Sequence, residues 1–128
     1  IKVGLVRKVV SRGISIGEIG VTGKARIIKN NIDMSLICPG EILFVPKELM
    51  QNIPLSKNIA GIVTNQNVND VYALFNKNNK KISTICNLEN MDNHQINNGD
   101  LITLQLNEGV IYMGQIEDDD AIDKYKYV

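Results

Sequence analysis

The stretch GIVTNQNVNDVYALFNK, residues 61–77, joins an apolar strand ending in Thr64 to a polar turn and a short amphipathic helix. That layout suits a phosphate-binding turn, in which main-chain N–H groups at a helix start face an anion. Between Thr64 and Asp70, however, the turn contains no glycine. In the helical part, Val71, Leu74 and Phe75 recur at i, i+3 and i+4 and form the apolar stripe. Asn69 or Asp70 is the expected N-cap, and Asn78 or Asn79 the expected end.

On both sides of this unit, short Val- and Ile-rich runs alternate with glycine-marked turns. GKARII (23–28), GEILFV (40–45), AGIVT (60–64), ISTIC (82–86), GDLITLQL (99–106) and GVIYMG (109–114) read as strands, most of them buried on at least one face. The last two predict a hairpin, because Asn107, Glu108 and Gly109 supply a tight polar connection and Gly109 can take a positive φ. PKELMQNIPLSKN (46–58) predicts one or two helical turns opened by Pro46, with Leu49, Met50 and Ile53 as the stripe. The sum is an α/β domain with more strand than helix.

Composition narrows the function classes. With 128 residues, 44% of them hydrophobic, the chain suits one domain with a real core. Its 14 basic and 14 acidic residues balance, and no segment concentrates Lys and Arg with aromatics, so nucleic acid is not an expected partner. The longest apolar runs, EILFVP and IAGIVT, are strand-sized, so neither is a membrane helix expected. Cys38 and Cys86 sit in or beside apolar runs rather than at metal-ligand spacing. They predict two buried free thiols in a reducing compartment, with a disulfide across the core as the alternative. The chain opens mid-strand with IKVGLVRKVVSRG (1–13) and reads as a piece of a longer protein. In the tail QIEDDDAIDKYKYV (115–128), apolar alternation gives way to acids, as in a solvated extension or linker. Consecutive carboxylates such as Asp118, Asp119 and Asp120 diverge, so no metal site is expected there.

Four segments, in this order, resemble the phosphohistidine or swivelling domain of phosphoenolpyruvate-utilising enzymes. They are GISIGEIGVTGKARII (13–28), GEILFVPKELMQNIPLSKNIAGIVT (40–64), the stretch 61–77, and NNGDLITLQLNEGVIYMG (97–114). The resemblance implies a swivelling β/β/α fold, strand-rich with short helices. It also implies a phosphohistidine-like domain over 13–116, a linker or lead-in strand over 1–12 and an acidic tail over 117–128. In that family the Ile-Val-Thr strand is followed by a polar pair, two glycines, a hydroxyl-bearing pair, the His that accepts the phosphoryl group, and Ala-Ala. Aligned without a gap, Asn67 and Val68 replace the glycines, Asp70 and Val71 the Thr and Ser/Cys, and Tyr72 the His, while Ala73 survives.

Each change opposes phosphoryl transfer. A carrier needs a nucleophilic nitrogen at neutral pH, and an imidazole with a pKa near ~6.5 supplies one, whereas a phenol near ~10 is almost wholly protonated. Val68 is β-branched and cannot readily take the conformation that glycine allows. Asp70 puts negative charge where a phosphate would sit. The former phosphate loop, Thr64, Asn65, Gln66, Asn67, Val68, Asn69 and Asp70, is therefore expected to be scaffold, with Tyr72 a partly packed helix residue and no catalytic residue present. His94, the one histidine, lies in the polar connection NMDNHQINNGD (90–100) and is the alternative carrier. Thr64 is expected to serve a strand end and Ser15 to cap or hydrogen-bond a turn. The glycines at 13, 17, 20 and 23 lack the order of a nucleotide-binding motif and read as turn residues.

A swivelling domain without its His resembles the extra C-terminal domain of bacterial and plastid-type pyruvate kinases. The resemblance implies a non-catalytic structural or regulatory module with no cofactor of its own, whose partners are other domains of the parent chain, within it or across an oligomer. The implied parent is a glycolytic transferase passing a phosphoryl group from phosphoenolpyruvate to ADP, with Mg²⁺ and K⁺ at a barrel site outside this segment. It also implies an intracellular location, cytoplasm or plastid, and the Asn and Lys usage is in keeping with an apicoplast. The alternative is a domain of a phosphoenolpyruvate-utilising phosphotransferase or dikinase that retains phosphoryl transfer or binds a small phosphorylated effector around 65–70.

Overall fold

A computed structural model of the chain describes residues 8–92 and 95–114. These form strands β1 (Val9–Arg12), β2 (Ile14–Ile16), β3 (Val21–Ile27), β4 (Glu41–Val45), β5 (Ile59–Thr64), β6 (Thr84–Cys86), β7 (Leu101–Gln105) and β8 (Val110–Met113). One α-helix, α1 (Val68–Lys77), and two 3-10 helices, Asn31–Leu36 and Lys47–Asn52, complete the elements. The architecture is the mixed α/β one expected, rich in strand, and every run read as a strand holds one. No described helix is long and apolar enough to cross a membrane.

β3, β4, β5 and β6 run parallel, and the two 3-10 helices and α1 form the three crossovers between them. A parallel strand covered on both faces needs an apolar run, which is why β4 reads ILFV after Glu41 and is buried throughout. Its alternation splits the core in two. Leu43 and Val45 pack with Met34, Met50, Val71 and Phe75 from the crossovers. Ile42 and Phe44 point the other way and pack with Ile102, Leu104 and Ile111 of β7 and β8. The antiparallel end of the sheet therefore curls over the parallel one. At Gly61 of β5 an added Cβ would lie 2.8 Å from Leu104 Cδ1, so that side chain occupies the space glycine leaves.

The strand order is β1-β8-β7-β3-β4-β5-β6-β2. Its two ends are consecutive in the chain, so Gly13 alone carries the backbone from one end of the sheet to the other. On one side, Gly13 N–H donates to Gly109 O at 2.9 Å. On the other, Ile14 pairs with Cys86. A Cβ at position 13 would lie 2.2 Å from Cys86 O, a separation that no real Cβ tolerates. Gly109, at φ +68 in the β7–β8 turn, is equally constrained, because its Cβ would lie 2.5 Å from Gly13 O.

A charged clamp joins β3 to β4. Arg26 Nε donates to Glu41 Oε1 at 3.1 Å and Arg26 Nη2 to Glu41 Oε2 at 2.9 Å, and Cys38 N–H donates to Glu41 Oε1 at 2.6 Å. Burial pushes the Glu41 carboxyl up. The Arg26 hydrogen bonds, the Cys38 amide and the charges of Arg26 and Lys24 outweigh it, and the group sits below the ordinary glutamate range.

Several local expectations need correcting. The N-cap of α1 is Asn67, not Asn69 or Asp70, so the helix starts at Val68. The first 3-10 helix was not foreseen; it forms because Asn30 and Asp33 make a reciprocal capping box. Both cysteines are free, but only Cys86 is buried, because the chain turns outward at Cys38. Ser15 lies within β2 rather than capping a turn, and its Oγ is enclosed without a hydrogen-bond partner.

Two stability measurements test this account. Gly13→Ala is expected to cost roughly 3 kcal/mol in urea unfolding. Gly40→Ala, at φ +81 with nothing within 4 Å of its Cβ, is expected to cost only about 1 kcal/mol of backbone strain; equal losses would remove the closure argument. Glu41 titrates lower folded than unfolded, so its contribution is present above the unfolded pKa of ~4.3 and is lost as pH falls through the folded value. Glu41→Gln should therefore lie about 3 kcal/mol below the parent chain at neutral pH, with the gap closing in acid.

Candidate functional site

The turn 64–70 leaves β5 at the C-terminal edge of the parallel strands and enters α1. Thr64 is fully buried, and its Oγ1 accepts from Gln66 N–H at 3.1 Å, which bends the chain out of the strand. Asn65 Oδ1 accepts from Lys47 N–H at 2.7 Å, tying the turn to the second 3-10 helix. Asn67 Oδ1 accepts from Asp70 N–H at 2.9 Å, while Asn67 Nδ2 donates to Asp70 Oδ2 at 2.9 Å. Cap and third helical residue thus hold each other.

The other support comes from across the sheet. Asn87, just past β6, donates its N–H to Gln66 O at 2.9 Å and accepts from Val68 N–H on its Oδ1 at 3.0 Å. Leu88 N–H reaches Thr64 O at 3.2 Å. Asn87 takes a φ of +60, a conformation that Asn tolerates better than most residues. Among the described residues, only Asn79 and Asn87 are non-glycines at positive φ, so 64–70 makes its turn without one.

This geometry decides what the turn can bind. In a phosphate-binding turn the first helical amides point at the anion. Here the amides of Val68 and Asp70 end on the side-chain oxygens of Asn87 and Asn67. A phosphate would have to displace both while standing beside the Asp70 carboxylate. Asp70 instead complements the positive end of the helix dipole. Tyr72 is 40% exposed on the outer side of α1, between buried Val71 and exposed Ala73.

Among the described residues, the remaining candidates do not assemble a second centre. His94 and the acids 118–120 lie outside the described residues. Burial pushes the Cys86 thiol up to about 12, which keeps it protonated and unreactive. No group of three or more His, Cys, Asp or Glu among the described residues could hold a metal ion. A cleft of about 730 Å³ opens over Ile27, Phe44 and Ile96, but no residue of 64–70 lines it. Asn87 was missed by sequence reasoning; its one local signal is an Asn directly after a strand, where a left-handed residue often stops a ladder.

Because Asn87 serves the turn through both its backbone and its side chain, two variants separate the contributions. Asn87→Gly keeps the positive φ and loses one hydrogen bond, and is expected to cost about 1 kcal/mol. Asn87→Ala loses both and is expected to cost about 2 kcal/mol. Urea unfolding measures the difference, and faster amide exchange at Val68 in both variants would locate it.

No family model matches the chain. Over 116 residues it is 27% identical to Pyruvate kinase 2 of Synechocystis sp., an alignment covering 91% of this chain and 20% of that protein. The chain thus spans about a fifth of the curated relative it matches. Among solved structures, the Microcin C7 self immunity protein MccF in complex with aspartyl sulfamoyl adenosine is 15% identical, covering 80% of this chain and 41% of that one at a TM-score of 0.48. By sequence the chain is similar to a segment of a pyruvate kinase, and the match supports a pyruvate kinase-related segment.

Proposed function

We propose that the chain is a swivelling, phosphohistidine-like domain that performs no phosphoryl transfer and serves a pyruvate kinase-like parent as a structural or regulatory module. The observation that carries this reading is the self-satisfied turn: Asn67 and Asn87 take the helix-start amides a phosphoryl group would need, and Tyr72 stands outward at the carrier position. The similarity to Pyruvate kinase 2 supports the choice of parent. In this reading the domain spans 13–116, with a lead-in strand over 1–12 and a tail over 117–128. Its partners are other domains of the parent, and its setting is the cytoplasm or a plastid such as an apicoplast. The parent's chemistry, phosphoenolpyruvate and ADP to pyruvate and ATP with Mg²⁺ and K⁺, takes place at a barrel site elsewhere.

The competing reading, a carrier domain of a phosphotransferase or dikinase, needs a phosphate acceptor on this chain. Incubation with labelled phosphoenolpyruvate and Mg²⁺ in the presence of the parent's other domains, followed by mapping, separates the two. The expected result is no covalent phosphate on the chain. Acid-labile label at His94, or acid-stable label at Tyr72, would overturn the proposal.

A further inference from the structure

Among the described residues, β1 stands at one end of the strand order and pairs with β8 alone. Its other edge would be expected to run beside the chain leaving β6, because β2 and β6 pair antiparallel up to Ile14 and Cys86. Asn87 prevents this. Its φ of +60 turns the chain off the ladder, and the next amides go to the turn instead, Asn87 N–H to Gln66 O and Leu88 N–H to Thr64 O. What remains is a cleft of about 550 Å³ between the outer edge of β1 and Asn87, Glu89 and Asn90.

The chemistry of the walls names the guest. Gly13 N–H is turned toward β8, where it meets Gly109 O. Strand alternation then turns the N–H and C=O of Arg12 the other way, into the cleft. An unpaired main-chain edge is matched by another extended main chain, in the manner of strand addition. A second copy of this chain is a poor match: antiparallel self-pairing about Val10 sets Lys8 of each copy opposite Arg12 of the other, and like charges directly opposite are destabilising. Exposed Arg12 on one wall and exposed Glu89 on the other instead suit a guest carrying both charges.

We infer that this cleft binds an extended segment of a different polypeptide as a strand added to β1, with an acidic side chain set against Arg12 and a basic one against Glu89. β1 has four residues, so the pairing spans about four residues of the guest. The inference does not depend on the identity of the parent. It also couples two parts of the molecule, because Asn87 lines the cleft and its Oδ1 holds Val68 N–H at the start of α1. A seated strand that moves Asn87 is felt in the turn 64–70.

The test is titration of the full isotope-labelled chain with an acetylated, amidated peptide of sequence Thr-Val-Glu-Val-Lys-Val-Thr, and with its Glu/Lys-exchanged form, read by amide chemical shifts. Saturable shifts at 9–12 and 87–90, extending to Val68, are expected with at least one peptide. Backbone N-methylation of that peptide should weaken binding by about tenfold or more, because main-chain hydrogen bonds carry it. Arg12→Pro, which removes the outward N–H, should do the same. The double reversal Arg12→Glu with Glu89→Lys should exchange the peptide preference. No saturable shift from either peptide, or equal binding of the N-methylated form, overturns the inference, and the N-methyl comparison needs no variant protein to fold.

Discussion

Three backbones meet at Gly13, and most of the fold depends on there being no side chain between them. The carbonyl of Cys86 lies within 2.2 Å of where a Cβ would stand, and Gly109 presses on the carbonyl of Gly13 from the other side. Because the chain passes through this point, one run of eight residues can pair first with β8 and then with β6. The sheet is drawn round so that Ile102, Leu104 and Ile111 cover Ile42 and Phe44, and one short sheet acquires two filled cores. Joining the two end strands through Gly13 also shortens the open edge at each end of the sheet. Among the described residues, the outer side of β1 is one stretch of edge that stays unpaired, where Asn87 turns away.

That dependence explains what could be read from residues and what could not. The parallel strands and α1 are visible because their apolar residues repeat with the right period, and the EILFV run announces a strand buried on both faces. β1 falls within the lead-in strand expected over 1–12, but β2 is not legible, since Ile14 is 49% exposed and the run is cut at Gly13. The helix start was displaced because Asn67, Asn69 and Asp70 are all competent caps and the β-branched Val68 looks like a residue before a helix; only the bond from Asp70 N–H to Asn67 Oδ1 decides among them. Cys38 illustrates a related limit. Ile37 beside it is buried, but Glu41 gathers the Cys38 amide into a turn that carries the thiol outward. Glu41 itself read as part of a family-like motif, and its partner Arg26 lies on another strand, where no local pattern connects them.

The candidate site divides in the same way. Its residues 64–70 and Tyr72 were legible one by one, including the mismatch of charge and shape for an anion. The residue that completes the turn, Asn87, lies nineteen positions beyond Val68 and joins it only through the β5–β6 pairing. A positive φ and a cross-strand hydrogen bond are both non-local consequences of the sheet, so neither could be inferred from the polar character of NQNVND.

The amides at a helix start need acceptors whether or not a ligand is present, and leaving such groups buried and unmatched costs about 1 to 3 kcal/mol each. A turn designed for a phosphate can leave them open to solvent and ligand. A turn that never holds one is more stable if the chain supplies the acceptors itself. Here the oxygens of Asn67 and Asn87 do so, and Asp70 supplies the negative charge that the helix dipole favours. Asn67 and Asn87 thus supply the hydrogen-bond acceptors, and Asp70 the negative charge, that an anion would bring, from groups already attached to the protein. Under that arrangement a β-branched residue such as Val68 is accommodated at the first helical position without a left-handed turn.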